Sequence, residues 1–215
     1  MLVWINDIAR SAAMNMSIDE VLFVSNESFS FLRTYTWDDS YTTIGYFQKS
    51  KDVKSKKFTR RLTGGLTVNH SKDISYCFVS SSRFVNVYDQ SKTYKTIHLA
   101  IQKSLTFKTE ILEKSKNVPN LICVKTFYEN DVVCADKKIA GSCMRRRGSK
   151  IIVQGSIHAD FDNNGTRIFV KSFSKNLARL MNVDIRTSEL KDEYIKKANT
   201  MMYSKYSNLQ WNYRF

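Results

Sequence analysis

Histidine, proline and glycine are scarce in this chain of 215 residues, which has three histidines, one proline and seven glycines. Its four cysteines contain no Cys-x-x-Cys pair, and with so few histidines they do not make up a zinc site. We therefore expect no metal site, and we expect the cysteines to be thiols, as is usual in cytoplasmic proteins. Because glycines are so few, the position of each one needs an explanation.

Long apolar segments are also missing. No stretch approaches the roughly 18 apolar residues that a membrane span needs, and Met1 to Asp7 lacks a basic region followed by an apolar run. We expect a cytoplasmic protein without a membrane partner. An apolar content of 42% and an aromatic content of 13% are those of a folded globular protein, which excludes intrinsic disorder.

Acidic residues are outnumbered by basic ones, 20 to 34, so the formal net charge is +14. Clustered basic residues bind nucleic acids. Here they are scattered, and no helix-turn-helix, zinc-finger or RNA-binding signature accompanies them, so nucleic acid is not the expected partner. The charge is explained either by a solvated basic surface or by a field that steers an acidic protein partner.

The hydrophobic pattern predicts a mixture of helices and strands. Apolar residues from Met14 to Phe23 have helical spacing, residues 87–107 predict a second helix, and Pro119 marks a break beyond it. Strand-like segments occur at 31–37, 42–47, 58–62, 66–69, 74–80, 131–134, 138–141, 151–153 and 156–159. Tight turns are predicted at Asp136-Lys137 and Arg147-Gly148.

No linker, repeat or low-complexity segment divides the chain. We expect a single α+β domain over residues 1–215, in which residues 173–215 form a helical C-terminal tail and no C-terminal accessory domain follows.

Two segments carry candidate chemistry. Arg60-Arg61-Leu62-Thr63-Gly64-Gly65 offers cations and a glycine turn whose N–H groups can face an anion. The alternative is a glycine hairpin with exposed arginines. Lys138 can hold a carboxylate, a phosphate or a developing oxyanion, although it can equally be a surface lysine in a turn.

Read together with their neighbours, these segments resemble the lipoate-protein ligase and octanoyltransferase superfamily, from near the start of the chain to about residue 161. Asn15 to Glu20 is similar to its N-M-A-x-D-E helix, and Leu32 to Trp37 with Ile44 to Gln48 is similar to its L-R-x-Y-x-W and S-I-G-Y-F-Q strands. Arg60 to His70 resembles R-R-x-T-G-G-x-A-V-x-H. Asn130 to Ser142 resembles N-D-L/V-V followed by G-R/K-K-I/V-A/S-G-S.

The resemblance implies a biotin/lipoate-protein ligase-like catalytic fold, a mixed and mostly antiparallel sheet flanked by helices. It also implies a site that encloses an octanoyl or lipoyl group, with Lys138 as a catalytic residue. The residues expected to bind the acyl group or its adenylate are Arg60, Arg61, Thr63, Gly64, Gly65, His70, Asn130, Asp131, Gly141, Ser142 and Gly155.

The reaction is open to three interpretations. In the cysteine-dependent octanoyltransferase branch the nucleophile stands about eight residues before the acidic residue, which is the spacing of Cys123 from Asp131. Cys123 would then carry the acyl group as a thioester, although its apolar surroundings also suit a buried structural cysteine. Cys143 is a weaker candidate for the nucleophile, and Cys77 and Cys134 are expected in the core. The other interpretations are an ATP-dependent ligase that forms lipoyl-AMP, and a non-catalytic member of the fold.

The sequence departs from the family pattern at a few positions. Leu66 replaces a third glycine of the ligase-type loop, and Asp136 or Lys137 replaces the glycine before the family's lysine. Gln154 stands where the family usually has a histidine, and this loss suggests reduced or redirected activity. His158 would share a strand face with Gln154 but lie roughly 13 Å away along it, so we do not expect it to substitute.

The resemblance also implies partners and substrates. The acceptor would be the acidic lipoyl domain of a 2-oxoacid dehydrogenase or of a glycine cleavage protein, and acyl carrier protein is a possible donor. No bound cofactor is expected. ATP and Mg²⁺ would be needed for ligation, for which a separate accessory subunit is possible.

Overall fold

The computed structural model describes residues 1–116 and 122–215, so Pro119 and the break expected there lie outside the described residues. The strands are β1 (Leu2–Asn6), β2 (Ser30–Tyr35), β3 (Tyr41–Ile44), β4 (Thr59–Arg60), β5 (Val68–His70), β6 (Ile74–Ser81), β7 (Glu110–Ile111), β8 (Val132–Cys134), β9 (Lys137–Arg147), β10 (Lys150–Ile157) and β11 (Ile185–Thr187). Eight of them form one sheet in the order β11-β1-β2-β6-β10-β9-β8-β7. β1 is parallel to both of its neighbours and the other pairs are antiparallel, which confirms the predicted mixed sheet.

Helices cover both faces of this sheet. They are α1 (Ala12–Val24), α2 (Gln90–Gln102), α3 (Asn163–Met181), α4 (Asp192–Met201) and α5 (Leu209–Asn212). The side chains of Ser11, Asp89 and Asp162 accept hydrogen bonds from backbone N–H groups at the starts of α1, α2 and α3, which fixes where these helices begin. Apolar residues of α2 and α3 pack on one face of the sheet, and those of α1 and α4 pack on the other.

A second, small sheet has the order β4-β3-β5. β4 and β5 each pair with β3 and not with each other. The Gly64-Gly65 segment is therefore a crossing connection, and the hairpin alternative is wrong. The residues from Arg60 to Leu66, which we call the RRLTGG loop, pass over the main sheet near β9.

Several elements are longer than the sequence pattern predicts. Residues 151–153 and 156–159 belong mostly to a single strand, β10, which forms a long hairpin with β9. The turn before β9 lies at Ala135-Asp136, one residue earlier than expected, and Ala135 has a positive φ of 50°. α3 begins at Asn163, ten residues before the predicted tail, because Asp162 caps a polar first turn.

The predicted helical tail contains α4, a π-helical turn at Met202–Tyr206 and α5, but it also supplies β11, which pairs with β1. All three residues of β11 are exposed, so no apolar alternation reveals this strand in the sequence. Among the described residues, no helix has the length and apolar character to cross a membrane.

Candidate active site

A narrow cleft lies between the RRLTGG loop, the small sheet, β9, β10 and a 3-10 turn at Cys123–Lys125. Seven of the predicted site residues line it: Arg61, His70, Cys123, Lys138, Gly141, Ser142 and Gly155. The space open to the centres of water molecules in this cleft is about 40 Å³. At about 10–15 Å³ for one water position, the cleft has room for about three water molecules.

Lys138 is buried at one end of the cleft and is held by three groups. Its Nζ lies 2.7 Å from Oδ2 of Asp131, 3.1 Å from the carbonyl oxygen of Thr126 and 3.6 Å from Sγ of Cys123. Burial lowers the pKa of Lys138, but the Cys123 sulfur and the Asp131 carboxylate outweigh burial and raise it above its ordinary value. The side chain is therefore an ammonium at neutral pH.

Gly141 makes room for this arrangement. A Cβ atom at Gly141 would lie 2.2 Å from Cε and 2.6 Å from Nζ of Lys138, and 3.0 Å from Oδ1 of Asp131. A side chain there would displace the ammonium from the carboxylate. Gly141 thus acts through Lys138, as well as lining the cleft.

Cys123 begins the 3-10 turn and is only half-buried. Its N–H donates to the carbonyl oxygen of Thr67, 2.8 Å away, so the turn is tied to the segment that precedes β5. Leu121, two residues before Cys123, lies outside the described residues. A thiol that lines a cleft beside an ammonium is not the buried structural cysteine that its apolar neighbours in the sequence also allowed.

The other thiols have different surroundings, and all four cysteines are free. Cys143 also lines the cleft, where burial raises its pKa to about 11, so it is a neutral thiol. Cys77 is fully buried, and burial raises its pKa well above the ordinary value. Cys134 is half-buried on β8 and packs against the core.

The two adjacent arginines of the RRLTGG loop have different roles. Arg60, which was predicted to bind the acyl group, is not among the residues that line the cleft. It is fully buried and donates to the carbonyl oxygens of Gly45, Tyr46, Gln48, Trp211 and Asn212. Arg60 is the last residue of β4 and Arg61 lies just beyond it, and their guanidinium groups bind different partners.

Arg61 is the arginine that lines the cleft. Its Nη2 donates to the carbonyl oxygens of Gly64 and Leu66, at 3.0 Å and 2.8 Å, and so closes the loop on itself. Gly65 has a φ of +85°, and a Cβ atom there would lie 2.1 Å from Sγ of Cys143. Gly64 has open space around it, so only the second glycine is required by packing.

Gln154, the departure from the family pattern, joins the loop to α1. Its Oε1 accepts from the hydroxyl of Thr63 at 2.9 Å, and its Nε2 donates to Oδ2 of Asp19 at 2.8 Å. Asp19 is fully buried and pairs with Arg33 at 2.7 Å. Thr63 is therefore buried behind the cleft and does not line it.

A second group of polar side chains lies at the His70 end of the cleft. Nη1 of Arg61 donates to Oγ1 of Thr43, whose hydroxyl donates to Nε2 of His70; each contact is 2.8 Å long. Nδ1–H of His70 then donates to Asp73, also at 2.8 Å. Burial lowers the pKa of His70, so the imidazole is neutral, and its ring stacks on Trp37 with the centroids 3.9 Å apart.

Ser156 and His158 extend this group, and both line the cleft. The hydroxyl of Ser156 donates to Asp73 and lies 3.1 Å from Nε2 of His158. His158 directly follows β10 and lines the same cleft as Gln154. It contacts Ser156 and does not take the position of Gln154. Asp73 and Ser156 were not expected from the sequence, because neither belongs to a motif.

His98 on α2 is another residue that the sequence did not single out. Its Nδ1 donates to the carbonyl oxygen of Asn130, and its Nε2 lies 3.0 Å from Oγ of Ser142. Burial lowers its pKa to about 4, so it is neutral. Asn130 has a φ of 71° and does not line the cleft; it presents the next residue, Asp131, to Lys138.

Gly155 has a packing role. A Cβ atom there would lie 2.3–2.4 Å from atoms of the Tyr76 ring, including its hydroxyl oxygen.

Within the described parts of the chain, no group of three or more His, Cys, Asp or Glu side chains is placed to hold a metal ion.

A family model described as the lipoyl protein ligase A/B catalytic domain matches residues 11–199. The chain belongs to this family. Octanoyltransferase LipM of Brevibacillus brevis is 25% identical, and the match covers 96% of this chain and 96% of that one.

Two solved structures share the fold of this lipoyl protein ligase A/B family member. Protein Ta0514 of T. acidophilum, solved with bound lipoic acid, is 20% identical with a TM-score of 0.78, over 100% of this chain and 98% of its own. Lipoate-protein ligase A bound with ATP is 19% identical with a TM-score of 0.78, over 98% and 97%. These likenesses confirm the predicted ligase-like fold.

Proposed function

We propose that this chain transfers an octanoyl group to a lysine of a lipoyl domain by way of a thioester on Cys123. The observation that carries the proposal is the 3.6 Å contact between Sγ of Cys123 and Nζ of Lys138, inside a cleft. The similarity to octanoyltransferase LipM over nearly the whole chain supports the choice of reaction.

The first half of the reaction loads the enzyme. The thiol of Cys123 gives up its proton, and its sulfur attacks the carbonyl carbon of an octanoyl thioester. The carbon–sulfur bond to the donor breaks as the new thioester forms, and the leaving thiolate takes up a proton to become the donor's free thiol. The ammonium of Lys138 stabilises the negative charge that develops on the sulfur and on the carbonyl oxygen. Such a preorganised charge in a buried site contributes about 3–4 kcal/mol to catalysis in comparable cases.

The second half unloads the enzyme. The neutral amine of the acceptor lysine attacks the thioester, an amide bond forms, and the carbon–sulfur bond breaks. The sulfur of Cys123 takes up the proton that the amine loses. Lys138 again faces the developing oxyanion, because its ion pair with Asp131 holds it in place throughout.

The acyl chain needs more room than the cleft now offers. Met16 lies at the cleft wall, and its unbranched thioether side chain can adopt other rotamers at small cost. We propose that an octanoyl or lipoyl chain lies along this apolar wall, with its carbonyl group between Cys123 and Lys138.

The proposed partners are an acidic lipoyl domain as acceptor and an acyl carrier protein as donor, and we place the reaction in the cytoplasm. We further propose that residues 1–215 act as one catalytic domain. ATP with Mg²⁺ would be a substrate of the alternative ligase reaction.

Mass spectrometry of a purified lipoyl domain tests this proposal. With octanoyl-acyl carrier protein as donor, we expect the wild-type chain to add one octanoyl group to the acceptor lysine, and the Cys123→Ser variant to add none. Cys143→Ser is the matched control, because it removes the neighbouring thiol of the same cleft; it should retain most of the activity.

Three results would contradict the proposal. An acyl product formed by Cys123→Ser at the wild-type rate would rule out the thioester. A product formed only with ATP and lipoate would identify the chain as a ligase, and absence of any product would favour a non-catalytic member of the fold.

A further inference from the structure

Five residues beside the RRLTGG loop form a surface that we call the basic-aromatic patch: Tyr46, Phe47, Arg145, Arg214 and Phe215. The guanidinium of Arg145 lies 4.3 Å from the centre of the Tyr46 ring, and that of Arg214 lies 4.8 Å from the same ring. Phe47 is 74% exposed and Phe215 is 44% exposed. Exposed aromatic rings stacked with arginines have the composition of protein interface hot spots.

The positive charge of the patch is not neutralised. Among the described residues, no salt bridge joins Arg145 or Arg214 to a carboxylate. Arg60, which lies beneath Phe215, is bound by carbonyl oxygens alone, and both burial and the nearby Arg214 lower its pKa. The adjoining segment 49–57 adds five lysines and one aspartate. The surface therefore has a strong positive field.

The patch borders the catalytic cleft through the loop that closes it. The N–H of Tyr46 donates to the carbonyl oxygen of Thr63 at 2.8 Å, and Nη1 of Arg145 donates to that of Leu62 at 3.1 Å. Arg145 follows the cleft residue Cys143 by two positions of β9, or about 7 Å. A protein interface of about 800 Å² on each partner extends about 16 Å from its centre. An interface of this size around the cleft is therefore wide enough to reach Arg145 and the adjoining part of the patch.

We infer that the basic-aromatic patch is the docking surface for the acidic acceptor domain, whose carboxylates pair with Arg145 and Arg214 while its lysine enters the cleft. The inference rests on the proposed function. The acidic domain is the partner that fits this surface, because its charge is opposite to that of the patch. Opposite fields of this kind raise the rate of encounter and fix the orientation of the partners.

The test separates docking from chemistry. Arg214→Glu reverses one charge of the patch at an exposed position, and Arg167→Glu makes the same change at an exposed position on α3. Binding of a purified acidic lipoyl domain is measured by calorimetry, and loading of Cys123 is measured by mass spectrometry with octanoyl-N-acetylcysteamine, a small neutral donor. Thermal unfolding verifies that both variants are folded.

We expect Arg214→Glu to weaken binding of the lipoyl domain about 10-fold at low salt, and less at high salt because exposed charges are screened. Loading from the small donor should not change, and Arg167→Glu should bind as the wild type does. Equal binding by all three proteins would overturn the inference, as would patch-dependent binding of a DNA oligonucleotide without binding of the lipoyl domain. If the domain binds through the patch but Cys123 is never loaded, the docking surface stands and the proposed chemistry fails.

Discussion

Lys138 and His98 are both buried, and they bind the adjacent residues Asp131 and Asn130. Nevertheless Lys138 is charged, whereas His98 is neutral. Lys138 binds the carboxylate of Asp131, and burial is outweighed so that the pKa of the lysine rises. His98 binds the carbonyl oxygen of Asn130, the preceding residue, and burial lowers its pKa to about 4. A full negative charge compensates for the loss of water, whereas a carbonyl dipole does not.

The different charges of Lys138 and His98 explain how the Asn130-Asp131 segment serves two purposes. The neutral imidazole supports the backbone of Asn130 and the hydroxyl of Ser142 without adding charge near the cleft. The charged ammonium is then the cation that lies next to Cys123. Lys138 itself contributes to keeping His98 neutral, because its charge lowers the pKa of the imidazole.

Removal of the charged side chain, Lys138, should have the largest effect on the rate of octanoyl transfer. In Lys138→Met the cleft loses its ammonium, and we expect the rate of octanoyl transfer to fall by about 10²–10³. Single-turnover loading of Cys123, followed by mass spectrometry, measures this loss directly.

This variant leaves Asp131 buried without its cation, so reduced stability could imitate a catalytic effect. The double variant Lys138→Met with Asp131→Asn removes both charges and serves as the control, since it should recover stability but not activity. Recovery of activity in the double variant would show that Lys138 acts only in folding.

The neutral side chain, His98, should make the free energy of unfolding depend on pH. The pKa of His98 is about 4 in the folded chain against 6.5 as its ordinary value, so the unfolded chain takes up a proton first as pH falls. Stability from this residue is fully present above pH 6.5 and is lost as pH approaches 4, by about 3 kcal/mol. His98→Gln keeps a donor and an acceptor but does not titrate, so its unfolding free energy should depend less on pH in this window.

Urea unfolding of both proteins at several pH values measures the difference. His70 and His158 are present in both, so their contributions cancel. Parallel pH profiles for the wild type and His98→Gln would show that His98 is not buried as a neutral base.

Much of this arrangement could be predicted from the sequence, and the exceptions have physical causes. The motifs located Lys138, Cys123 and Arg61 in one cleft, since each lies in a segment with a recognisable pattern. Two adjacent arginines are equivalent in the sequence, and only the contacts of their guanidinium groups distinguish Arg60 from Arg61. His98 was missed because it stands alone on a helix, and its partners come from distant segments.

The same limit applies to the fold. β11 was missed because it is short and fully exposed, and its parallel pairing with β1 leaves no local signal. Gly64 and Gly65 show the limit at the level of single residues, since both were expected to bind the acyl group but their surroundings differ.

A substitution at Gly65 should have the smallest effect of the three. It tests a contact with another uncharged group of the cleft, the thiol of Cys143. Gly65→Ala places a Cβ atom against Sγ of Cys143 at a φ of +85°, so we expect about 1–2 kcal/mol of lost stability and a several-fold slower transfer. Gly64→Ala is the matched control, because nothing lies within 4 Å of its Cβ position, and it should behave as the wild type. Adding Cys143→Ala to Gly65→Ala should restore only the part of the loss that comes from the steric contact. Since backbone strain at Gly65 would remain, complete recovery in the double variant would mean that the positive φ costs nothing at this position.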